Sequence, residues 1–160
     1  MKIVLFEDSQ FSNLLPLSYF RPVWELRCGI NRLFEKIQNL SPANPVHYIA
    51  RQYLMEYYLD SSRCFFPSSP EGTDLLLLNG RLLAGSSQRQ LLEDIPQNSV
   101  FTYDNAVVAW RTNKKNLESY FEQGLLLSDR VLNDFNDQSM TVTLIRYPWD
   151  LIEHNGSEII

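Results

Sequence analysis

Leu75-Leu76-Leu77-Leu78-Asn79-Gly80 decides the fold. Four apolar residues closed by an Asn-Gly turn are too few for a helix and show no polar alternation. They read as a central strand buried on both faces. Leucine is not a strong strand former, so the length of the run and the turn after it carry the assignment. Lys2 to Phe6 is a second short run without polar alternation, and it has the same character. Strands covered on both faces belong to parallel sheets flanked by helices.

Outward from these two runs, strands and helices alternate. Glu7 to Ser18 is polar, ends in Leu14-Leu15-Pro16-Leu17, and reads as a loop. Leu26, Ile30, Leu33, Phe34, Ile37 and Leu40 recur at helical spacing opposite Arg27, Asn31, Arg32, Glu35 and Lys36. That spacing predicts one amphipathic helix, closed by Ser41-Pro42-Ala43-Asn44-Pro45. Val46 to Ala50 reads as a strand, Arg51 to Leu59 as a short aromatic-rich helix, and Arg63 to Phe66 as another strand. Ser68 to Gly72 is a loop. A helix is expected from Gln88 to Asp94, capped by Ser86 or Ser87 and ended by Pro96. Val100–Tyr103 and Ala106–Trp110 flank Asp104-Asn105, two residues that tolerate positive φ, and predict a tight hairpin. Thr112 as a cap and Gly124 as a stop frame a helix through Phe121. A shorter helix spans Ser128 to Phe135, and Thr141 to Arg146 reads as the last strand. Tyr147-Pro148-Trp149-Asp150-Leu151 follows as a turn that fixes this strand, with a helical start at Leu151 to Asn155.

The pattern implies an α/β fold, a three-layer α/β/α, Rossmann-like domain over residues 1–160 with a mixed, mostly parallel sheet. In such sheets ligands bind beyond the carboxyl ends of the strands. The loops after Phe6, Ala50 and Leu78 are therefore the expected working surface.

A net charge of −5, with Lys114-Lys115 as the densest basic cluster, argues against a nucleic-acid partner. A local basic pocket for a small phosphorylated ligand is compatible with that balance. Cys28 and Cys64 are too few for a disulfide framework and lack metal-ligand spacing. His47 and His154 are far apart, so no zinc site is expected. No segment approaches the roughly 20 apolar residues that cross a bilayer. The apolar run Ile3 to Phe6 is too short for a signal sequence. No membrane partner and a cytoplasmic location follow as expectations.

Several stretches resemble a known family. They are Ile3-Val4-Leu5-Phe6-Glu7-Asp8; Leu15-Pro16-Leu17 with Arg21-Pro22-Val23-Trp24-Glu25-Leu26-Arg27-Cys28-Gly29-Ile30; Leu78-Asn79-Gly80-Arg81-Leu82-Leu83; and Tyr147-Pro148-Trp149-Asp150-Leu151 with Asn155. In this order they resemble the N-terminal domain of a group of sugar nucleotidyltransferases. These are distant relatives of the N-acetylglucosamine-1-phosphate uridylyltransferase and glucose-1-phosphate nucleotidyltransferase enzymes. The resemblance implies attack of a sugar-1-phosphate on the α-phosphate of a nucleoside triphosphate, with release of pyrophosphate. It implies a nucleotide or sugar phosphate as partner, and Mg²⁺ as the cofactor if the chain is catalytic. It is also compatible with a homo-oligomer, with an additional C-terminal domain such as a left-handed β-helix, and with a chain that is a fragment of a longer protein.

Characterised relatives wrap the triphosphate with a Gly-rich loop, place a lysine before a proline, and end a central strand in a metal-holding Gly-Asp. Here Glu7-Asp8-Ser9-Gln10-Phe11-Ser12-Asn13 contains no glycine to supply the φ > 0 turns of a phosphate nest. Arg21 precedes Pro22, keeping the charge and adding a bidentate fork. Gly80-Arg81 replaces Gly-Asp and so puts a cation where a metal ligand would stand. The expectation is a degenerate triphosphate site with no metal ligand assigned. Arg21 is the catalytic candidate. Arg27, Asn79, Gly80 and Arg81 are the substrate-binding candidates, with the three arginines gathered at one mouth.

Each of these residues also has a plain structural reading. Arg21 and Arg27 could pair with Glu7, Asp8 or Glu25 to pin the first loop. Asn79-Gly80 could be an ordinary turn. Glu7-Asp8 is read as a solvated or capping pair rather than a metal site, Cys28 as a small buried residue, and Tyr53, Tyr57, Tyr58, Phe65 and Phe66 as core. Two functional alternatives stand beside the transferase-like reading. One is a non-catalytic binding or scaffolding module that retains only the fold. The other is an enzyme using a different ligand geometry in the same cleft.

Overall fold

In the computed structural model, residues 1–57, 63–64, 74–86, 88–113, 115 and 117–159 are described. In chain order the first elements are β1 (Lys2–Asp8), β2 (Arg27–Cys28), β3 (Asn31–Arg32), α1 (Leu33–Leu40), β4 (Val46–Ile49) and α2 (Gln52–Tyr57). They continue with β5 (Leu75–Asn79), α3 (Gln88–Asp94), β6 (Ser99–Tyr103), β7 (Ala106–Thr112), β8 (Phe121–Glu122) and β9 (Leu125–Leu126). The last are α4 (Ser128–Asp134), β10 (Asp137–Ser139) and α5 (Pro148–Ile159).

β1 is the pivot of the sheet. Residues 3–6 pair in parallel with β4 on one side, and residues 2–6 pair in parallel with β5 on the other. β5 pairs antiparallel with β7, β7 with β6, and β6 pairs parallel with β10. β1 runs on past β4, and its last two residues pair with Leu125 and Leu126 of the β8–β9 hairpin. Among the described residues this is one mixed sheet of eight strands, with β2–β3 as a separate two-stranded sheet.

The two apolar runs behave as their composition requires. Ile3, Leu5, Leu76 and Leu78 face one core, shared with Leu33 and Ile37 of α1, Leu54 of α2 and Leu92 of α3. Val4, Phe6, Leu75 and Leu77 face the other, with Trp110, Leu117, Tyr120 and Val131 of α4. Successive strand residues point to opposite faces, and here both faces are covered, hence the absence of polar alternation. The Asp104-Asn105 hairpin forms as expected, with φ of 49° and 60° at its two turn residues.

Several elements differ from expectation. The helix predicted from Leu26 to Leu40 survives only as α1. Gly29, at φ +70°, turns the chain into the β2–β3 hairpin before the helix begins. α1 then starts with the Glu35 side chain reaching back over the first turn, where Arg32 N donates to Glu35 Oε2 at 2.6 Å. The helix predicted from Thr112 to Phe121 is replaced by a 3-10 turn, Leu117–Tyr120, and the β8–β9 hairpin. The strand predicted at Thr141–Arg146 is reduced to a single bridge, Leu82 with Leu144. The polar strand β10 carried no apolar signal at all, because all three of its residues are exposed. The loop read at Glu7–Ser18 is instead the last two residues of β1 and a 3-10 helix, Ser9–Leu14. Pro148 opens α5 as an N-terminal helix residue, and Asp150 Oδ2 accepts from Arg146 N and Tyr147 N. Of the strand read at Arg63–Phe66, the described residues show an isolated parallel bridge from Cys64 to Tyr48, with Arg63 in a turn. Phe65, Phe66, Tyr58 and the Ser68–Gly72 loop lie outside the described residues. No described helix is long and apolar enough to cross a membrane.

The β8–β9 turn, Gln123-Gly124, is seated on the end of β4. Gln52 N donates to Gln123 O at 3.1 Å. Gly124 has φ +84°, and a methyl group there would overlap the Ala50 carbonyl oxygen and stand 2.7 Å from its carbon. Gly124→Ala combines a left-handed backbone with a collision against main chain, so it is expected to cost about 2 kcal/mol or more. The urea midpoint checks this: an unchanged midpoint would mean that the turn is not held against Ala50.

Candidate functional site

β1 ends in two consecutive acids, Glu7 and Asp8, which are only 0% and 3% exposed. Strand alternation sends their side chains to opposite faces, and each meets a buried arginine. Burying a lone carboxylate is prohibitive, so each acid comes with a paired cation and a set of hydrogen bonds.

Glu7 Oε1 accepts from Val23 N at 2.9 Å and Arg51 Nη2 at 3.2 Å. Its Oε2 accepts from Arg51 N at 3.2 Å and Arg51 Nε at 3.0 Å. Arg51 also donates from Nη2 to Ser18 O at 2.6 Å and Arg21 O at 3.0 Å, and from Nη1 to Tyr53 Oη at 2.6 Å. Its guanidinium lies 4.1 Å from the centroid of the Phe11 ring. One side chain therefore ties the end of β1, the β4–α2 junction and the segment from Phe11 to Val23 into a single unit.

Asp8 closes the other face. Its Oδ1 accepts from Gln10 N at 3.1 Å, capping the Ser9–Leu14 3-10 helix. Its Oδ2 accepts from Asn79 Nδ2 at 2.9 Å and Arg81 Nη2 at 2.8 Å. Asn79 braces the cluster further, donating to Val107 O and accepting from Arg81 N. Arg81 Nη1 reaches Ile145 O at 3.4 Å, and its Nε has no hydrogen-bond partner among the described residues.

The residues singled out from sequence are placed as follows. Arg81 is 1% exposed and committed to Asp8. Asn79 is fully buried as a cross-brace between β1 and β7. Gly80 is buried too, and a side chain there would stand 2.5 Å from Trp24 Cε3, so its lack of one makes room for tryptophan. Arg21 is exposed at the end of the first loop, with its carbonyl held by Arg51. Arg27 is exposed in β2, where Nη1 donates to Ile30 O. Arg81 is thus buried on Asp8, while Arg21 and Arg27 stay exposed. The partner of Glu25 is Arg32, at 2.8 Å; burial pushes the Glu25 carboxyl up, against the pull of Arg32. Glu7 and Asp8 are buried rather than solvated, and Tyr53 is 46% exposed rather than core. Cys28 is buried as expected, and burial pushes its thiol up and keeps it neutral.

Sequence reasoning missed Arg51, which it read as the first residue of a helix. Its position directly after β4, in one of the three strand-end loops, was the available signal.

Beyond β1, two clefts flank the β8–β9 hairpin. The larger, about 820 Å³, is lined by Asp8, Gln10, Asn105, Glu122, Gln123 and the first turn of α4. The smaller, about 530 Å³, lies among Phe11, Arg51, Gln52, Tyr53, Glu56 and Gln123. The strand-end residues do not fit a divalent-metal site. Arg81 follows Gly80, and every carboxylate oxygen of Glu7 and Asp8 already accepts from an N–H group. Among the described residues no three His, Cys, Asp or Glu side chains converge as metal ligands.

Among curated proteins none matches this sequence. Of the solved structures, one described as a glucose-1-phosphate thymidylyltransferase from Bacillus anthracis, in complex with a sucrose, matches with a TM-score of 0.54 at 9% identity. The match covers 99% of this chain and 95% of that one, and at such identity it shows a common fold, an α/β nucleotidyltransferase-like one with a mixed, mostly parallel sheet. The profile of the family described as sugar nucleotidyl transferase matches residues 3–160. With that match running through the β1 acids, the Arg51 and Arg81 clusters and α5 alike, the chain belongs to the sugar nucleotidyl transferase family.

Proposed function

We propose that the domain binds a sugar nucleotide or sugar phosphate in the clefts beyond β1, through a triphosphate site that is degenerate. The observation that carries this reading is the fate of the segment after β1. A phosphate-wrapping loop needs free N–H groups, but here Gln10 N goes to Asp8, Leu15 N to Ser12 O and Ser18 N to Leu14 O. The nearby cations Arg51 and Arg81 are turned inward to Glu7 and Asp8. In this reading the exposed Arg21, at the end of the same segment, meets phosphate, with Arg27 as a second exposed cation. Asn79, Gly80 and Arg81 support the floor from beneath.

A non-catalytic scaffolding role is the second reading. It is favoured by the neutralised acids and the absence of glycine from Ser9 to Asn13.

A thermal-shift panel of nucleoside triphosphates, nucleotide-sugars and sugar phosphates separates the two, because a ligand raises the melting temperature by mass action. Stabilisation by a nucleotide-sugar or sugar phosphate is expected to persist in EDTA, and pyrophosphate-release assays are expected to show little or no turnover. Metal-dependent stabilisation by a triphosphate, with robust release, would overturn the degenerate site. A flat panel would leave the scaffold.

A further inference from the structure

α5 turns one face to the body of the domain and one outward, and none of its residues is fully buried. Leu151 packs against the larger core, Asn155 Oδ1 accepts from Gly29 N at 2.9 Å, and Glu158 pairs with Lys36. At 3.6 residues per turn these three positions define the inner face. Trp149, Ile152, Gly156 and Ile159 fall on an outward stripe beside it. Ile152 is 77% exposed, and Trp149 and Ile159 are each more than half exposed.

Two features set this stripe apart from the single apolar residues found on any protein surface. Trp149 is held by Tyr147, whose ring stacks on it with centroids 4.6 Å apart, so little freedom remains to be lost on association. Gly156 stands inside the helix, where only proline is less favourable. A methyl group there would meet nothing within 4 Å, so packing within the chain does not require glycine. It leaves a notch in the stripe, and a notch lets another backbone come close.

The flanks of the stripe carry opposite charges. Asn155 is the neighbour of Ile152 and Ile159 round the helix and holds the tip of the β2–β3 hairpin. The hairpin tip therefore borders the stripe on that side. It carries exposed Ile30 and Arg27, whose Nη1 donates to Ile30 O. Glu153 borders the stripe on the other side, next to Trp149 and Gly156. Arg27 and Glu153 are both exposed, and neither has an ion-pair partner among the described residues. An apolar centre with a cation on one flank and an acid on the other is complementary to itself. Turned about a two-fold axis parallel to α5, one copy sets its Arg27 flank against the Glu153 flank of the other, and the contact recurs on the opposite side.

We propose that the outer face of α5, with Trp149, Ile152, Gly156 and Ile159 at its centre and Arg27 and Glu153 at its flanks, joins two copies of this chain in a two-fold dimer. None of the residues lining the two clefts beyond β1 belongs to this face, so its test is separate from that of ligand binding.

Sedimentation velocity and light scattering on the whole chain provide the readout. Wild type is expected to be a dimer at about 100 μM, with a Kd in the micromolar range. Ile152→Asp puts a carboxylate at the centre of the interface and is expected to weaken the dimer by about a hundredfold or more. The side chain is exposed in the single chain, so the circular-dichroism spectrum is expected to be unchanged. Gly156→Leu separates association from folding, because it strengthens the helix while filling the notch. Its helicity is expected to hold or rise while the dimer is lost. Arg27→Glu and Glu153→Arg each set like charges face to face and are each expected to weaken the dimer by about tenfold. Combined in one chain they are expected to restore it to within about threefold of wild type. A wild type that is still monomeric at about 100 μM overturns the proposal. So does a dimer that Ile152→Asp or Gly156→Leu leaves intact, or a double reversal no tighter than the single variants.

Discussion

Asp8→Ala is expected to remove about 3–5 kcal/mol of stability, the cost of leaving one member of a buried ion pair without its partner. The stranded group would be the Arg81 guanidinium, 1% exposed and already carrying one unbonded nitrogen. Asn79 Nδ2 would lose one of its two acceptors, and the Ser9–Leu14 helix would lose its cap. Against the roughly 5–15 kcal/mol that a domain of this kind possesses, that is a fifth or more. In melting temperature it amounts to about 10 °C or beyond for a chain of this size. Urea and thermal unfolding check the value. The double variant Asp8→Leu with Arg81→Met is expected to recover most of the loss, because apolar groups of similar volume replace a buried pair at little cost. A deficit below about 1 kcal/mol for Asp8→Ala would mean that water reaches the pair.

The second large effect belongs to the other face. Glu7→Leu removes the acceptor of four N–H groups, from Val23 and from three positions of Arg51. A loss of about 3–5 kcal/mol is expected again, but its distribution differs. The Arg51 guanidinium holds the carbonyls of Ser18 and Arg21, so its release frees the first loop before the sheet opens. Hydrogen exchange should therefore accelerate first from Phe11 to Val23, while the amides of β5 and β7 retain protection until global unfolding. Glu7→Gln keeps one oxygen acceptor but turns the other into an NH2 that faces two N–H donors and leaves the Arg51 charge unpaired, so a cost in the same range of about 3–5 kcal/mol is expected. Uniform acceleration across β1, β5 and the loop would show that Arg51 is not a local latch.

What was legible in the sequence follows from burial. Leu75–Leu78 and Ile3–Phe6 were readable as central strands because both of their faces are covered, which leaves no polar alternation to confuse the period. Asp104-Asn105 was readable because its turn chemistry is local. The region from Leu26 to Leu40 misled because Leu26, after a 3-10 turn, and Leu33, Phe34, Ile37 and Leu40 of α1 pack on the same core at a spacing that imitates one long helix, while Ile30 of the hairpin between them is exposed. Only Gly29 marked the break. β10 was invisible because it is an exposed edge strand without an apolar residue. For the site, sequence order placed Arg81 beside Asn79-Gly80, but nothing local indicates that its charge is consumed by Asp8, 73 positions away. Glu7 and Arg51 are 44 positions apart, and only the parallel pairing of β1 with β4 brings them together.

The position of β1 in the sheet also has a consequence for how the chain is made. Its partners arrive in the order β4, β5 and finally β9, so the ribosome delivers the pivot before any of the strands that shelter it. Until Asn79 has emerged, the Ile3–Phe6 run waits with a flank open, and the Glu7–Asp8 end of the strand has its own partner only once Leu126 follows. Such long-range pairing slows folding and lengthens the exposure of sticky surface. The two acids that end β1 thus act in the nascent chain as charges beside an adhesive strand, and they are neutralised only when the finished sheet brings Arg51 and Arg81 to them.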